Sequence, residues 1–370
     1  MVKFPELKEN LRIVIFCGGY GTRMWPMSRR SFAKQFQPLL GENSFFEEAI
    51  RRVRLTFKPE EIYISAPKEQ LSSIKKQAEM IPLKNIIAEP ERRDTLGAVA
   101  LATAFLDKYF PNSLMAVVWG ADHLVKDASG FNHLLRLAAR VCQVKNVICK
   151  IDVKPTYPSV DNGWVKLGKK IGTVNKHPIY EFLNFVEKPD LATAKKMFRN
   201  DNYLLNTGYF VWRTSTMLGL LKKYTPSCYR TIIRIQKALE SANEQTVLEN
   251  EYRKIEKISI DYGLFEKLPS QSMLVIPADI GWYDVGTWDL LYEALARGQK
   301  ENVAKGETEF IESRGNLVYL PKNKLAALIG VDNLVVIDTR DGLLVCKRGL
   351  AAEVKKLVES LKKQNKTQYL

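Results

Sequence analysis

The stretch FCGGYGTRMWPMSRRSFAKQF occupies residues 16–36 and continues the apolar run of residues 12–17. A short apolar run that ends in glycines is typical of a buried strand that leads into a phosphate-binding type of loop. Gly18, Gly19 and Gly21 have no side chain, which lets backbone N–H groups approach an anion and permits positive φ. The loop lacks the Gly-Lys-Ser/Thr ending of a Walker loop and the third glycine of a dinucleotide fingerprint. The glycines alone fit a plain strand-to-helix turn equally well.

Strand-like and helix-like segments alternate after this loop. The Ser44-x-x-Glu47 pattern predicts a capping box that opens a helix ending at Arg54. Further segments are predicted as strand, helix, strand, helix and strand, respectively, at residues 61–65, 68–76, 85–88, 95–109 and 114–119. The alternation predicts βαβ units and a doubly wound, Rossmann-like, mostly parallel α/β sheet. Ligands of such sheets bind beyond the carboxyl ends of the strands, which makes residues 18–23, 89–95 and 120–123 the first candidates.

The pattern changes near residue 300. Short strands are predicted every eight to nine residues, with turns between them, at 316–320, 325–329, 334–338 and 342–346. This spacing indicates a small all-β module. We therefore expect an α/β domain at residues 1–298 and a C-terminal β module at residues 299–370 that ends in a helix.

The charge balance limits the possible partners. The chain has 56 Lys plus Arg against 41 Asp plus Glu, a formal net charge of +15. Such an excess suits a nucleic-acid binder, a protein on an anionic membrane, or an enzyme with polyanionic substrates. The Lys-rich segment 353–366 carries apolar residues at helical spacing, which favours a terminal helix packed on its own protein. We therefore expect neither nucleic acid nor a membrane as a partner.

Cysteine usage and the first residues bear on the cellular compartment. The five cysteines form no Cys-x-x-Cys pair and only three histidines accompany them, so neither a disulfide framework nor a zinc site is indicated. The first sixteen residues, MVKFPELKENLRIVIF, do not show the pattern of a signal peptide. A cytoplasmic location is the expectation.

The glycine-rich stretch resembles the signature of the sugar-phosphate nucleotidyltransferases. Trp25-Pro26, Ser28 and Lys34-Gln35-Phe36 are similar to the mannose-1-phosphate guanylyltransferase (GDP-mannose pyrophosphorylase) branch of that family. Further similar motifs follow in order: EPERRDT (89–95), ADH (121–123), GWV (163–165), FVEKP (185–189), NTG (206–208), IDY (260–262), GWYDVGTW (281–288) and LVVIDT (334–339). The resemblance implies the nucleotidyltransferase fold, with a C-terminal module resembling a short left-handed β-helix, and a homodimer.

The resemblance also implies a reaction. GTP and mannose 1-phosphate would give GDP-mannose and pyrophosphate, with Mg²⁺ as cofactor and in-line attack of the sugar phosphate on the α-phosphorus. A phosphomonoester loses its second proton at a pKa of about 6, so the nucleophile needs no general base. The reaction needs positioning and neutralisation of the charge on the departing pyrophosphate.

Site residues follow from the same resemblance. The catalytic set is Arg23, Lys34, Asp122 and Asp284, and the last two would hold the metal. Without the resemblance, a helix cap at Asp122 and a turn at Asp284 would be the better interpretation; with it, metal binding is. The implied nucleotide-binding residues are Gly18, Gly19, Gly21, Thr22, Glu89 and Thr95. The implied sugar-phosphate-binding residues are Gly163, Glu187, Lys188 and Asn206.

Two of these residues have an evident chemical role. Glu89 suits guanine, because a carboxylate can accept from the adjacent N1–H and N2–H₂ donors. Lys188 suits the sugar phosphate, because an ammonium is a compact point charge.

Some positions depart from the family pattern. Ala33, Asp94, Leu96-Gly97 and Gly120 differ from the usual residues, and Asp161 and Asn162 change the sugar segment. The sugar could therefore be another hexose or heptose 1-phosphate. A catalytically inert relative that binds nucleotide sugar and regulates a partner is a second alternative, although the retained catalytic residues argue against it. A basic nucleic-acid protein ranks last, since no recognised module is present.

Overall fold

The structure, a computed structural model, describes residues 4–8, 11–19, 21–29, 33–39, 41–119 and 123–370, with only the backbone at residue 22. The chain forms two compact units. Unit 1 consists of Met1–Gly18, Ile50–Trp119 and Lys126–Gly281. Unit 2 consists of Gly19–Ala49, Gly120–Val125 and Trp282–Leu370. Each unit is made of three segments of the chain. The predicted domains, residues 1–298 and 299–370, are instead continuous in sequence, and that domain boundary stays a prediction.

The strands and helices are numbered in chain order. The strands are β1 (Leu11–Phe16), β2 (Ile62–Pro67), β3 (Ile86–Glu89), β4 (Leu114–Trp119), β5 (His123–Val125), β6 (Ile148–Val153), β7 (Trp164–Val174), β8 (His177–Val186), β9 (Tyr203–Arg213), β10 (Met273–Ala278), β11 (Trp282–Asp284), β12 (Val303–Lys305), β13 (Glu307–Ile311), β14 (Leu317–Tyr319), β15 (Leu325–Ile329), β16 (Leu334–Asp338) and β17 (Leu343–Lys347). The α-helices are α1 (Phe45–Arg54), α2 (Leu71–Gln77), α3 (Asp94–Tyr109), α4 (Ala128–Val144), α5 (Leu191–Phe198), α6 (Thr214–Tyr224), α7 (Pro226–Ala238), α8 (Glu244–Tyr252), α9 (Ile260–Gly263), α10 (Trp288–Leu295) and α11 (Val354–Lys363).

Unit 1 is built on one nine-stranded sheet. Its strand order is β3-β2-β1-β4-β9-β6-β10-β8-β7. The four strands β3, β2, β1 and β4 run parallel, and β6 pairs parallel with β10. The pairings of β9 with β4 and β6, and of β8 with β7 and β10, are antiparallel. The α/β class is confirmed, and the sheet is mixed.

The parallel half of the sheet explains the apolar run that the sequence shows. Ile13, Val14 and Ile15 of β1 are fully buried, because helices cover both faces of a parallel sheet. The antiparallel half includes the β7–β8 hairpin. Its turn residues Asn175 and Lys176 have φ of 47° and 71°, the positive values that a tight hairpin turn requires.

The capping box at the start of α1 is confirmed. The Glu47 N–H donates to Ser44 Oγ at 3.1 Å, and the Ser44 N–H donates to Glu47 Oε2 at 2.7 Å. The helix ends at Arg54, where the sequence placed its end. Residues 68–76, predicted as one helix, begin with a 3-10 turn at Lys68–Gln70 before α2.

The C-terminal part of unit 2 is a stack of short strands. The pairs β12–β14, β14–β16 and β13–β15 are parallel, whereas β16–β17 is antiparallel. Parallel pairing of strands about one coil apart is typical of a β-helix. The four predicted strands match β14 to β17 to within about one residue at most ends. The terminal helix is α11, and its Val354, Val358 and Leu361 pack on the core of unit 2, as predicted.

Met24 and Trp25 of the glycine-rich stretch belong to the same core. Trp288 Nε1 donates to the Trp25 carbonyl at 2.9 Å, and Trp25 Nε1 donates to the Tyr369 carbonyl at 2.8 Å. Both indoles are more than nine-tenths buried. Two tryptophans of the sequence motifs therefore have structural roles. Among the helices that the structure describes, none is long and apolar enough to cross a membrane.

Candidate active site

Gly21 and Lys34 lie against each other in unit 2. Gly21 has φ of 64°, and a Cβ at this position would lie 2.5 Å from Lys34 Cβ. No other residue fits there without strain and a clash. The Lys34 side chain is 3% exposed, and its Nζ donates to the Val285 carbonyl at 2.9 Å. The predicted phosphate-binding lysine thus contacts the segment that carries Asp284.

Arg23 and Asp284 both face Gly286. A Cβ on Gly286 would lie 3.3 Å from Arg23 Nη2 and 3.5 Å from Asp284 Oδ1. A glycine here leaves a space between a guanidinium and a carboxylate that any side chain would begin to fill. Unit 2 therefore brings together Arg23, Lys34 and Asp284, three of the four predicted catalytic residues.

The fourth predicted catalytic residue, Asp122, lies outside the described residues. Its chain neighbour His123 begins β5, which pairs antiparallel with β11 so that Asp284 is opposite His123. Carboxylate oxygens are the ligands that Mg²⁺ prefers. Asp284 thus supplies one carboxylate of the predicted pair, and magnesium binding stays a prediction.

The other two glycines of the signature have more open surroundings. A Cβ on Gly18 or Gly19 would meet nothing within 4 Å, and positive φ is found at Gly21 alone among the three. In unit 1 the Gly18 carbonyl accepts from Arg92 Nη1. Arg92 lies in the EPERRDT motif. Its hydrogen bond therefore connects the segments that follow β1 and β3, both of which the sequence marked as candidate ligand-binding positions. The side chain of Thr22 lies outside the described part of the chain.

Glu89 ends β3 as a buried carboxyl group. It is 4% exposed, and Tyr252 Oη donates to Glu89 Oε2 at 2.7 Å. Burial raises the pKa of Glu89 to about 7, although the hydrogen bond from Tyr252 and the Arg92 cation act to lower it. A titratable group with a pKa near neutrality is more often found at functional sites than elsewhere.

Tyr252 is a residue that sequence reasoning missed. It ends α8, 163 positions from its partner Glu89, and no motif surrounds it. A Cβ on Gly97 would lie 3.0 Å from Tyr252 Oη and 2.8 Å from Arg93 Cβ. The departure from the family pattern at Gly97 therefore leaves room for Tyr252 to reach Glu89.

Thr95, predicted at the nucleotide, has a structural contact. Its Oγ1 accepts from the Ile260 N–H at 2.8 Å, which ties the start of α3 to α9. The preceding Asp94 has φ of 59°, and its Oδ1 accepts from the Thr95 N–H at 2.7 Å. Thr95 thus forms a hydrogen bond with the backbone at the start of the IDY motif. Its role in nucleotide binding stays a prediction.

The predicted sugar residues also meet in unit 1. A Cβ on Gly163 would lie 2.7 Å from Glu187 Oε2, and the Gly163 carbonyl accepts from the Asn206 N–H at 2.9 Å. Glu187 pairs with Lys188 at 2.9 Å, and the Lys188 side chain is 59% exposed. The structure therefore brings these four residues next to one another, and their role towards a sugar phosphate stays a prediction.

Asn162, one of the departures in the sugar segment, supports its own loop. The Ser159 hydroxyl donates to Asn162 Oδ1 at 2.7 Å, and Trp164 Nε1 donates to the Ser159 carbonyl at 2.9 Å. Asn162 is only 7% exposed. Its carboxamide therefore has a structural role between β6 and β7.

Lys150 and Asp152 are two further charged residues that sequence reasoning did not select. They lie in β6 and are 2% and 0% exposed. Lys150 Nζ donates to Asn206 Oδ1 at 2.7 Å and lies 3.7 Å from Asp152 Oδ2. Charged residues are rarely buried unless they are paired. A lysine and an aspartate within an apolar strand are therefore visible in the sequence as candidates for a buried ion pair.

Gly208 of the NTG motif is expected to tolerate no side chain. Its φ is 73°, and a Cβ would lie 2.5 Å from Trp119 Cδ1 and Nε1. We expect Gly208→Ala to lower the free energy of unfolding by about 3 kcal/mol through backbone strain and overpacking. Urea unfolding measures this. The matched control Gly219→Ala, in α6 with nothing within 4 Å, should raise stability by up to about 1 kcal/mol. Equal effects of both substitutions would contradict this packing.

Comparisons with known families match both parts of the chain. The nucleotidyl transferase family model matches residues 12–301. The MannoseP isomerase/GMP-like beta-helix domain model matches residues 306–361.

Two curated relatives are similar over nearly the whole chain. Mannose-1-phosphate guanylyltransferase RfbM of Salmonella typhimurium is 32% identical over 367 residues, which covers 96% of this chain and 73% of the relative. Alginate biosynthesis protein AlgA of Pseudomonas syringae is 31% identical over 358 residues, which covers 96% of this chain and 72% of the relative.

Solved structures show the same similarity. The crystal structure of mannose-1-phosphate geranyltransferase from Thermus thermophilus superposes with a TM-score of 0.86 at 29% identity, over 95% of this chain and 99% of that one. A mannose-6-phosphate isomerase structure from Helicobacter pylori matches with a TM-score of 0.57 at 22% identity, over 74% of this chain and 100% of that one. This second match shows the fold alone.

Proposed function

This chain belongs to the nucleotidyl transferase family, and on that basis we propose that it transfers GMP from GTP to mannose 1-phosphate, giving GDP-mannose and pyrophosphate. The observation that carries the proposal is the convergence of Arg23 and Asp284 on the space at Gly286, with Lys34 bound to the adjacent Val285. The similarity to a mannose-1-phosphate guanylyltransferase over 96% of the chain supports the choice of substrates.

The chemistry requires one bond to form and one to break. An oxygen of the sugar phosphate attacks the α-phosphorus of GTP, and the bond from that phosphorus to the bridging oxygen of the β-phosphate breaks. The electron pair leaves with pyrophosphate, and the attack needs no proton transfer. Arg23 and Lys34 would hold the triphosphate oxygens by charge-assisted hydrogen bonds and neutralise the charge that develops on the leaving group.

Magnesium is the proposed cofactor. Asp284 and Asp122 would hold it, and its chemistry is the neutralisation of phosphate charge in the transition state. The carboxylate donor and the space at Gly286 support this assignment. Arg23 lies at the same space, so the chain supplies a permanent cation beside the proposed ion.

Sugar recognition is proposed for the residues around Gly163. The Glu187 carboxylate would accept from sugar hydroxyls, the Lys188 ammonium would bind the phosphate, and Asn206 would contact the hexose. Lys188 Nζ pairs with Glu187 in the structure, so phosphate binding would replace or share that ion pair. The Lys188 side chain is mostly exposed and the Glu187 side chain is 24% exposed, so exchanging the pair is expected to cost about 1 kcal/mol.

Glu89 is the proposed reader of guanine. Its carboxylate would accept from N1–H and N2–H₂, which requires the deprotonated form. Because burial raises the pKa to about 7, that form is lost as pH falls through neutrality. We expect apparent GTP affinity to rise about tenfold from pH 6 to pH 8, relative to a Glu89→Gln variant that corrects for titration of GTP itself. Glu89→Gln should also weaken the selectivity for GTP over other nucleoside triphosphates.

Tyr252→Phe provides the matched variant for this titration. The Tyr252 hydrogen bond lowers the Glu89 pKa, so its removal should move the midpoint of the pH profile upward. The measurement is KM for GTP against pH for the three proteins. Unchanged selectivity in Glu89→Gln, or a pH profile that this variant shares with the wild type, would assign base reading to another residue.

Assembly and location are also proposals. The family resemblance supports a homodimer that uses the C-terminal module, and sedimentation at micromolar concentration tests it. The scarcity of paired cysteine motifs supports a cytoplasmic location, and fractionation of cells tests it. We propose no nucleic-acid or membrane partner.

The test of function is pyrophosphate release with each nucleoside triphosphate and a panel of hexose and heptose 1-phosphates in Mg²⁺. Release with GTP and mannose 1-phosphate supports the proposal. Preference for another sugar phosphate would favour the alternative that Asp161 and Asn162 suggested. Binding without turnover for every pair would favour the inert, regulatory relative.

A further inference from the structure

Two opposite charges are buried in the middle of the main sheet. Lys150 and Asp152 lie in β6, which is flanked by β9 and β10. Asp152 Oδ2 has no hydrogen-bond partner among the described residues, and Lys150 Nζ lies 3.7 Å from it. Burial raises the pKa of Asp152 although the Lys150 cation acts against this. A buried ion pair seldom improves stability over apolar residues of the same size, so its presence suggests a role in specificity.

The pair belongs to a set of contacts between two three-residue segments. Lys150 Nζ donates to Asn206 Oδ1, the Thr207 hydroxyl donates to the Ile151 carbonyl, and the Thr207 N–H donates to Asp152 Oδ1 at 3.3 Å. The β6–β9 register runs from Ile151 opposite Tyr209 to Val153 opposite Leu205. Between these two pairs, Asp152 alone in β6 lies opposite residues 206–208 of β9, so the register is irregular at this point.

The contacts fix the orientation of the Asn206 side chain. An ammonium can only donate, so the atom that faces Lys150 must be the amide oxygen. The Gly208 N–H donates to the same oxygen at 3.1 Å. Both lone pairs of Oδ1 are therefore used, and the Nδ2 amino group is what Asn206 can offer to a ligand. Without Lys150, only the Gly208 N–H would hold the amide oxygen in this orientation.

The Asn206 backbone lies beside the proposed sugar carboxylate. Its N–H donates to the Gly163 carbonyl, and the missing Cβ of Gly163 adjoins Glu187 Oε2. A carboxylate acceptor and an amide donor in one region suit neighbouring hydroxyl groups of a hexose, which can donate and accept.

We propose that Lys150 is a positioning residue for sugar recognition, which fixes the Asn206 carboxamide so that Nδ2 donates to one hydroxyl oxygen of the hexose. The inference rests on the proposed function, because it assumes a hexose 1-phosphate at this site. Asp152 balances the buried charge of Lys150 and holds the Thr207 backbone.

Two double variants separate the hydrogen bond from the charge. Lys150→Met/Asp152→Asn removes both charges and the donor to Asn206. Lys150→Gln/Asp152→Asn removes both charges and keeps an N–H donor, on a side chain one bond shorter than lysine. Asparagine at position 152 can still accept from the Thr207 N–H, and removing both charges avoids leaving one of them buried alone. Thermal unfolding of the three proteins confirms that each is folded.

The readout is discrimination among monodeoxy analogues of mannose 1-phosphate, each lacking one hydroxyl. For the wild type, one analogue should lose about tenfold in kcat/KM, the effect of one unpaired hydrogen-bonding group. Lys150→Met/Asp152→Asn should lose up to about tenfold on mannose 1-phosphate itself and should discriminate less than the wild type at that hydroxyl, because only the Gly208 N–H then orients the carboxamide. Lys150→Gln/Asp152→Asn should keep the discrimination. KM for GTP should stay within about twofold in all three.

The outcomes are distinguishable. If Lys150→Met/Asp152→Asn turned over mannose 1-phosphate as fast as the wild type and discriminated among the analogues as Lys150→Gln/Asp152→Asn does, the inference would be overturned. The proposed function would remain intact. Equal losses for every analogue would also overturn it, because a structural role affects all of them alike. Absence of pyrophosphate release by the wild type with any hexose 1-phosphate would overturn the proposed function and the inference together.

Discussion

Asp284→Asn is expected to lower kcat about 10³-fold, which corresponds to roughly 4 kcal/mol of lost transition-state stabilisation. The substitution keeps the size of the side chain and removes the charge that faces the space at Gly286. Because Arg23 remains there, the site would keep a permanent cation and lose one of its two proposed metal-binding carboxylates. The dependence of the rate on Mg²⁺ concentration should shift to higher concentrations along with the loss in kcat.

Asp332→Asn is the matched control for this variant. Asp332 belongs to the same unit, and its Oδ1 accepts from the Arg314 N–H at 2.7 Å, a bond that asparagine can also make. We expect this control to keep wild-type kcat and the same Mg²⁺ dependence. Activity of Asp284→Asn within about fivefold of the wild type would remove Asp284 from the metal site.

Arg23→Met should lower kcat/KM about 10³-fold, because the guanidinium is proposed to meet phosphate charge as it shifts to the leaving group. Its position 3.3 Å from a Cβ on Gly286 places it at the same space as Asp284. Arg23→Lys should recover part of the activity, since a lysine keeps the charge and loses the fork of parallel donors. Single-turnover kinetics with saturating GTP would show that the loss lies in the chemical step.

Arg29→Met is the control from the same stretch of sequence. Arg29 donates to Asp341 at 2.6 Å and to the Pro26 carbonyl at 3.0 Å, so its contacts are structural. We expect it to lower stability by about 1 kcal/mol and to leave kcat nearly unchanged. Similar kinetic losses in Arg23→Met and Arg29→Met would mean that the overall charge of the stretch matters, rather than the guanidinium at Gly286.

The parts of the fold that the sequence predicts are local and periodic. The buried run of β1, the capping box of α1 and the alternation through β4 all depend on neighbouring residues, and all of them are found. The position of β9 between β4 and β6 depends on pairing between strands distant in the sequence, and no periodicity encodes it. The same holds for the antiparallel half of the sheet.

Prediction of the site has the same limit. The resemblance of the motifs to the family identified Arg23, Lys34 and Asp284, and unit 2 brings these together. Tyr252 was not predictable, because its contact with Glu89 joins a helix without a motif to a strand end. Lys150 differs, since a lysine within an apolar strand is visible in the sequence and only its partner Asn206 required the structure.

The central claim is that this chain couples GTP to mannose 1-phosphate, and its most direct test is a time course that quantifies both products. Purified protein, GTP, mannose 1-phosphate and Mg²⁺ should give GDP-mannose and pyrophosphate in equal amounts, with Asp284→Asn as the inactive reference. No pyrophosphate from GTP and mannose 1-phosphate, or pyrophosphate without GDP-mannose, would contradict the claim.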